Sequence, residues 1–279
     1  MKKIYTITIA FIFLMILNVH GQSQLHILPN WSTTDGTQNM FYRNATKTDA
    51  SGNVIIAGAT INSNGDYDIL CTKHNSKGAL LWTYQYDGGN NDVATALCLD
   101  GSGNIFLTGM SENSSPDIIT IKLNSAGSNV WTSFYDDTLG LADGGTDILI
   151  ASTGKIFVVG SGFNYYGNTD FITLEYSASS GLQLYEANFD GGLNDVPAKI
   201  MNNPPNIYVS GVSQLNSTDY KYREVTYNDT LLQMSTITNT GGSTGIDQVM
   251  DMKKVNHNVY ICGSTPVSGQ GEDMCIIKT

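Results

Sequence analysis

Gly52-Asn-Val-Ile-Ile-Ala-Gly58 and Gly103-Asn-Ile-Phe-Leu-Thr-Gly109 are two copies of a short pattern that recurs along the whole chain. Three further copies close on the same residue type: Gly154-Lys-Ile-Phe-Val-Val-Gly160, Pro205-Asn-Ile-Tyr-Val-Ser-Gly211 and His257-Asn-Val-Tyr-Ile-Cys-Gly263. The closing glycines stand 51, 51, 51 and 52 residues apart. A fixed period of this length, made of strands, is typical of a β-propeller, in which every repeat forms one blade.

Each repeat also carries the residues of three more short strands. An aspartate opens the strand that follows the glycine pattern: Asp68, Asp117, Asp170, Asp219 and Asp273. A turn comes next, and beyond it stands a large side chain, which is Trp82, Trp131, Tyr185 or, in the fourth copy, Leu232. The following strand begins near Asp92, Asp143, Asp195 or Asp247. The sequence therefore predicts an all-β protein with four-stranded antiparallel blades and no helical period.

The recurring aspartates are interpreted as structural residues. A carboxylate that occurs at one position of every blade usually caps a turn or accepts backbone N–H groups. A catalytic acid and base should instead be unique, because one pocket needs one of each. The segments Asp49-Ala-Ser-Gly-Asn53 and Asp100-Gly-Ser-Gly-Asn104 lack the alternating ligands of a calcium loop, so hairpin turns are predicted there. No metal site and no cofactor are predicted.

The two ends of the chain complement each other. The fifth repeat stops at Thr279 before its outer strand, and Trp31 lies 51 residues before Trp82. Residues near 24–35 are therefore expected to complete the last blade, which closes a five-bladed ring. The alternative is an open fragment of a longer propeller, for example one of seven blades, because such a fragment would also end within a blade.

Residues 1–21 have the pattern of a secretory signal peptide. Lys2 and Lys3 precede an apolar run from Ile4 to Val19. The competing interpretation is a membrane anchor, for which this run is short. We expect cleavage, no membrane insertion afterwards, and a secreted, periplasmic or cell-surface location. Residues 22–279 are then a single propeller domain of five repeats of about 51 residues.

The composition narrows the choice of partner. The net charge is −11 and only 14% of residues are charged. Nucleic acid is disfavoured because phosphate binding needs a basic face. A surface rich in neutral polar residues suits a glycan or a cell-surface protein. The four cysteines lack metal-type spacing, and Cys262 and Cys275 are expected on neighbouring strands, either as a disulfide or as buried thiols.

The innermost strand of each blade carries residues that differ from repeat to repeat. Alignment of these strands puts five residues at one position: Ala45, Ala96, Asp147, Lys199 and Asp251. Innermost strands line the channel of a propeller, so two carboxylates and a lysine would surround its mouth. They are candidates for holding an ion or a sugar, and Asp147 and Asp251 are the only catalytic candidates. A solvated, salt-bridged channel is the alternative interpretation.

Aromatic residues outside the repeat pattern are few. Phe163-Asn-Tyr165-Tyr166-Gly167 occupies a loop that is polar in the other repeats. Exposed tyrosines stack on sugar rings or on partner surfaces, which makes Tyr165 and Tyr166 candidate ligand-binding residues. Packing onto a neighbouring loop would explain them equally well.

The repeat unit resembles a known family. The run from Asp49 to Asp100 combines Asp-x-Ser-Gly-Asn, the glycine pattern, Asn75-Ser-Lys-Gly78 and Trp82, and it is similar to bacterial secreted β-propeller repeats of the SBBP type. The second copy, through Trp131, is also close, whereas Lys221 and Arg223 enter the strand of the fourth. The resemblance implies a propeller on a secreted or surface protein, and it implies no defined reaction.

Three functions are compatible with these features. The leading hypothesis is a non-catalytic binding or scaffold module that takes glycan or protein ligands. The second is a glycan-active hydrolase, which would use Asp147 and Asp251 as its paired channel carboxylates. The third is a purely structural spacer.

Overall fold

The computed structural model describes residues 40–137, 139–239, 243–256, 258–269 and 271–279. Strands dominate these ranges and no helix occurs in them, so none of the described segments is a helix that would span a bilayer. The predicted signal peptide, residues 1–21, and the predicted closing strand, near residues 24–35, lie outside the described residues.

The described strands form five sheets. The first sheet contains β1 (Met40–Thr48), β2 (Val54–Ile61), β3 (Tyr67–His74) and β4 (Leu80–Tyr86). The second contains β5 (Asp92–Leu99), β6 (Ile105–Glu112), β7 (Pro116–Leu123) and β8 (Asn129–Tyr135). The third contains β9 (Asp143–Ile150), β10 (Lys155–Phe163), β11 (Thr169–Ser177) and β12 (Gln183–Phe189). The fourth contains β13 (Asp195–Asn203), β14 (Asn206–Asn216), β15 (Asp219–Tyr227) and β16 (Gln233–Asn239), and the fifth contains β17 (Gln248–Val255), β18 (Asn258–Val267) and β19 (Gly271–Lys278).

Every sheet is an antiparallel meander in which consecutive strands are neighbours. The first strand of one sheet contacts the first strand of the next, from β1 with β5 to β13 with β17. We number the four junctions between consecutive sheets from one to four. The arrangement is all-β and β-propeller-like, and the predicted four-stranded antiparallel blades are confirmed in the first four sheets. The fifth sheet has three strands, and a closed ring is not seen among the described residues.

The recurring glycine is explained by a close approach of two strands. Opposite the recurring glycine, the strand pairing skips one residue in the first strand of each sheet. In β5, for example, this bulge lies between Ala94 and Ala96. A Cβ atom on Gly109 would lie 1.9 Å from the carbonyl oxygen of Val93. A Cβ on Gly160 would lie 2.4 Å from the backbone oxygen of the third sheet's first strand. The bulge beside the glycine therefore imposes the residue that marks the repeat.

The recurring tryptophan joins one sheet to the turn of the next. The indole N–H of Trp82 donates to the carbonyl oxygen of Ser125 at 3.2 Å across junction one. Its ring covers Gly127, which has a φ of +83° and would place a Cβ 2.6 Å from the ring. Trp131 covers Gly181 in the same way across junction two, at 2.7 Å. Glycine is needed in both turns for the positive φ and for the space that the indole occupies.

Apolar side chains fill the junctions between sheets. One register position of the third strand holds a buried side chain in each of the first four sheets, with exposed fractions of 0, 0, 0 and 4%: Ile69, Ile118, Phe171 and Tyr222. Met274 has this position in the fifth sheet and is 82% exposed. The described residues therefore leave one face of the fifth sheet uncovered.

Strand pairing corrects the sequence alignment of the fourth repeat in β15. The recurring aspartate lies opposite the second residue after the closing glycine, as Asp170 lies opposite Gly162. In the fourth sheet this position, opposite Ser213, belongs to Lys221, and Asp219 lies beyond it. The reason is that the hairpin between β14 and β15 is longer and irregular near its end, so the aspartate is carried past its usual place.

A second correction concerns the large side chain of the outer strand. In the first sheet Leu70 pairs with the closing glycine, and Trp82 pairs with Lys73, three residues after Leu70. In the fourth sheet Arg223 pairs with the closing glycine, and Ser235 pairs with Thr226, three residues after Arg223. Ser235 is therefore the counterpart of Trp82. Leu232 was the expected residue. The turn explains the difference, because Leu231 adopts a φ of 55° where the other repeats have a turn glycine.

The cysteines are free thiols. Cys71 and Cys98 are buried. Cys262 lies opposite Ile276 and Cys275 lies opposite Gly263, so the two cysteines are offset by one residue pair. The disulfide between Cys262 and Cys275 is therefore not formed in the structure.

Candidate functional site

The five predicted channel residues share one register position. Each stands directly after the irregularity of its first strand and pairs with the residue that precedes the closing glycine: Ala45, Ala96, Asp147, Lys199 and Asp251. The alignment of these five positions is confirmed by the pairing. Their side chains, however, do not form a single group.

Asp147 and Lys199 are brought together across junction three. The Lys199 Nζ lies 3.9 Å from Asp147 Oδ2, which also accepts the N–H of Ile200 at 3.2 Å. Burial raises the pKa of Asp147, and the Lys199 charge and the N–H of Ile200 act in the opposite direction. Asp251 is exposed and accepts the N–H of Met252 at 2.9 Å. Within the described ranges, no hydrogen bond or ion pair connects Asp251 with Asp147.

A cavity of about 260 Å³ opens at the third sheet, below the loop that carries the unusual aromatics. Tyr165 lines this cavity, whereas Tyr166 stands beside Tyr165 with its ring edge-on at 5.8 Å. The two rings are 83% and 81% exposed. Four acidic side chains line the same cavity: Asp136, Asp137, Asp170 and Glu186. The sequence singles out the tyrosines but not these acids, because Asp170 is one of the recurring aspartates interpreted as structural and the other three belong to no motif.

Neighbouring side chains orient two of the cavity acids, Glu186 and Asp170. Glu186 Oε1 accepts the hydroxyl of Tyr135 at 2.9 Å and the amide of Asn188 at 3.0 Å. Asp170 Oδ1 accepts the amide of Asn164 at 3.0 Å. Burial raises the pKa of Asp170 to about 6, although the Asn164 bond lowers it. The cavity therefore presents oriented oxygen acceptors next to an exposed aromatic ring.

The segments near Asp49 and Asp100 are hairpin turns, as predicted. Asp49 Oδ1 accepts the backbone N–H groups of Ser51 and Asn53, both at 2.9 Å. Its Oδ2 lies 2.9 Å from the Nζ of Lys73. Burial acts to raise the pKa of Asp49, but the bonds from Asn53 and Lys73 outweigh it and hold the pKa well below its usual range. These oxygens are already occupied by the turn and by an ammonium group.

Acidic side chains gather at junctions one, two and three. Each group offers one carboxylate oxygen per residue, and these oxygens lie within 4.8 Å of one another: Asp68, Asp87 and Asp92; Asp136, Asp137 and Asp143; Asp170, Asp190 and Asp195. Burial raises the pKa of Asp143 to about 7, and the charges of Asp137, Asp117 and Asp136 add to the effect. The only sequence signal for these groups is the aspartate that recurs in two strands of each repeat.

Junction four differs because it contains a buried ammonium group. Lys221 Nζ lies 3.1 Å from Asp219 Oδ1 and 3.7 Å from Asp247 Oδ1, and it donates to the carbonyl oxygen of Ser243 at 2.7 Å. The lysine side chain is 3% exposed. The N–H of Gly245 and the Lys221 charge lower the pKa of Asp219.

No protein-family model matches the chain, and no curated protein sequence matches it. Solved structures do match. A protein of unknown function from Dyadobacter fermentans DSM 18053 has a TM-score of 0.55 at 9% identity, over 84% of this chain and 77% of that one. Hydrazine synthase of Kuenenia stuttgartiensis has a TM-score of 0.53 at 9% identity, over 83% and 80%. The subtype N11 neuraminidase-like protein of A/flat-faced bat/Peru/033/2010 (H18N11) has a TM-score of 0.50 at 12% identity, over 84% and 70%. At these identities the likeness shows the β-propeller-like fold alone.

Proposed function

We propose that the protein is an exported, non-catalytic binding module that takes a neutral glycan in the cavity at the third sheet. The observation that carries the proposal is the exposed Tyr165 ring beside four acidic side chains, two of them held by hydrogen bonds, in one cavity of about 260 Å³. A sugar has an apolar face, which stacks on an aromatic ring, and an edge of hydroxyl groups, which donate to fixed oxygens.

The contacts of the acids favour binding over turnover. Glu186 and Asp170 already accept hydrogen bonds from Tyr135, Asn188 and Asn164, which orient them as acceptors. The hydrolase alternative was based on Asp147 and Asp251. Asp147 is engaged by Lys199 and by backbone N–H groups, so it is better explained as part of an ion pair between two sheets.

The test is a screen of the purified chain on an array of neutral glycans, followed by calorimetry with the best hit. We expect binding that Tyr165→Ala abolishes and Tyr185→Ala preserves. Tyr185 is a matched control because it is an aromatic residue of the same sheet, 45% exposed, and does not line the cavity. Equal affinity of both variants would place the ligand elsewhere, and release of sugar products would reject the non-catalytic role.

We propose that the chain is exported after removal of residues 1–21, in line with the repeat resemblance. The apolar run between Lys3 and Gly21 supports this, together with a surface that carries few charged residues. N-terminal sequencing of the protein recovered from the medium or the periplasm tests the proposal. A mature chain that begins near Gln22 is expected, whereas an intact Met1 in a membrane fraction would favour an anchor.

We also propose that residues near 24–35 complete the fifth sheet and close a five-bladed ring. The fifth sheet has three strands where the first four sheets have four, which supports a missing edge strand, and the uncovered Met274 supports a missing neighbouring sheet on that face. The register of Trp82 opposite Lys73 implies that Trp31 lies opposite Lys278, and therefore that Thr34 lies opposite Cys275. Thr34→Cys is then expected to form a disulfide with Cys275, detectable by mass spectrometry. Thr33→Cys is the control, because its side chain points to the other face; crosslinking of neither variant would favour an open fragment.

A further inference from the structure

We propose that junction two is a binding site for a divalent cation of the Ca²⁺ type, held by Asp136, Asp137 and Asp143. Asp136 and Asp137 also line the cavity assigned to the glycan, so the two sites share two side chains, whereas Asp143 belongs to the cation site alone and Tyr165 to the cavity alone. Support for the cation site comes from an unpartnered buried oxygen, from an internal comparison with junction four, and from the spacing of the oxygens.

The unpartnered oxygen belongs to Asp143, which is 2% exposed. Asp143 Oδ2 accepts the N–H of Asp137 at 3.0 Å, whereas Oδ1 is buried and has no hydrogen-bond partner. A buried carboxylate oxygen without a donor is costly, since it has lost water and gained nothing in return. A cation coordinated by Oδ1 would remove that cost.

The residue beside this oxygen leaves it room. Gly162 lies opposite Asp143 in the strand pairing, and a Cβ atom on Gly162 would come within 2.1 Å of Asp143 Oδ1. In the second and fourth sheets the same position carries a serine, Ser111 or Ser213. At junction two the glycine supplies no hydroxyl donor, and the nearby Ile172 Cδ1, 2.4 Å from the same Cβ position, is apolar.

The internal comparison shows which chemistry this position accepts. In the second sheet Asp117 pairs with Ser111, the second residue after the closing glycine. In the fourth sheet Lys221 pairs with Ser213, which is also the second residue after the closing glycine. There the Lys221 ammonium lies between Asp219 and Asp247 at 3.1 and 3.7 Å. The fourth repeat thus has an ammonium group at the position where the second repeat has the carboxylate of Asp117. A bound ion would supply the missing positive charge at junction two.

The ligand set favours hard cations, and calcium tolerates irregular coordination better than magnesium, which requires near-ideal octahedral geometry. All three side chains offer oxygen only, which suits hard cations and disfavours zinc. Oxygens of Asp136, Asp137 and Asp143 lie within 4.8 Å of one another. Two oxygens on opposite sides of Ca²⁺ are about 4.6–5.2 Å apart, whereas around Mg²⁺ they are about 4.0–4.2 Å apart. The existing separations therefore admit calcium with little movement.

The experiment titrates the full chain with CaCl₂ after treatment with EDTA, using calorimetry and thermal unfolding at pH 7.5. We expect saturable heat, a rise in the midpoint of unfolding and a much smaller response to MgCl₂. Asp143→Asn is expected to abolish the response. Asp251→Asn is the matched control, because it removes an exposed carboxylate that belongs to none of the acidic groups, and it should leave calcium binding unchanged.

A second variant keeps the proposal testable if Asp143→Asn does not fold. Asp117→Lys places an ammonium where Lys221 stands in the fourth sheet. This variant should be more stable than the parent chain in EDTA and should no longer respond to calcium. The proposal is wrong if the parent chain shows no heat and no shift with calcium, or if acidification alone supplies the whole stabilisation, which would mean that the carboxylates share a proton.

Retained glycan binding in Asp143→Asn, with calcium binding lost, would separate the two proposals. The converse result, in which Tyr165→Ala loses glycan binding and retains calcium binding, would also separate the two proposals. Each proposal can therefore fail without the other.

Discussion

Junction two and junction four are built from the same repeat and have opposite electrostatics. Asp143 at junction two has a buried oxygen without a partner, and its pKa is raised to about 7 by burial and by neighbouring carboxylates. Asp219 at junction four has its pKa lowered by a backbone N–H and by the Lys221 ammonium. The longer hairpin before β15 shifts the strand by two residues and brings Lys221 to the place of the recurring aspartate, so a change of register decides whether a cluster contains its own cation.

The largest effect is expected from removal of the Lys221 ammonium group. Lys221→Met leaves Asp219 and the buried Asp247 facing each other without an ammonium. We expect a loss of about 3–5 kcal/mol in the free energy of unfolding, as for other buried pairs that lose one partner. Urea unfolding measures the loss, and Lys253→Met, at an exposed position of the fifth sheet, should change it little. An unchanged midpoint for Lys221→Met would contradict the role given to this lysine.

A second variant tests the contact between a tryptophan and the turn of the next sheet. This contact occurs at junctions one and two, whereas the fourth sheet has Ser235 in place of the tryptophan. Gly127→Ala combines a positive φ with a Cβ that would meet the Trp82 ring, so we expect a loss of about 3 kcal/mol. Gly154→Ala has a similar φ of +77° and open space around the new atom, so it should lose about 1 kcal/mol. Equal losses would show that the ring contributes nothing to the requirement for glycine.

The raised pKa values at junctions two and three make the stability of the fold depend on pH. The folded-state pKa values of Asp143 and Asp170 are raised to about 7 and about 6, above the unfolded value near ~3.9. The folded state therefore binds more protons, and stability decreases as the pH rises from about 4 to about 7. Thermal unfolding in EDTA should show a lower midpoint at pH 7.5 than at pH 5.

Calcium and Asp143→Asn should each reduce this dependence, because both remove the uncompensated charge of Asp143. A midpoint in EDTA that rises between pH 5 and pH 7.5 would contradict the electrostatic description of junction two.

The smallest effect is expected at the predicted channel pair. Lys199 lies 3.9 Å from Asp147 and is 36% exposed, so the pair is partly solvated. Lys199→Ala should therefore reduce the free energy of unfolding by less than about 1 kcal/mol. A larger loss in urea unfolding would mean that this ion pair contributes as much to the junction as the buried lysine does.

The sequence predicted the architecture better than the site. Glycine spacing and turn residues located the blades and even the shared register of Ala45, Ala96, Asp147, Lys199 and Asp251. The fourth repeat was misaligned at Lys221 and Ser235 because one hairpin is longer and because Leu231 occupies a glycine position. Tyr165 was identified from its unusual loop. Of the acids that share its cavity, Asp170 was interpreted as structural and the other three carried no sequence signal, because residues from two sheets meet there only after packing.

What the sequence determined by itself is the local chemistry of a repeat: where backbone must turn, where a Cβ has no room and where an indole is needed. These requirements act within about 50 residues, and they recur with the period of the chain. The tertiary structure decided which charges face each other across a junction. That depends on packing and on strand register, in which a shift of two residues placed Lys221 where other repeats have an aspartate. Electrostatic energy depends on distance in space, so the difference between an acidic cluster and a neutralised one appears only after the sheets have packed.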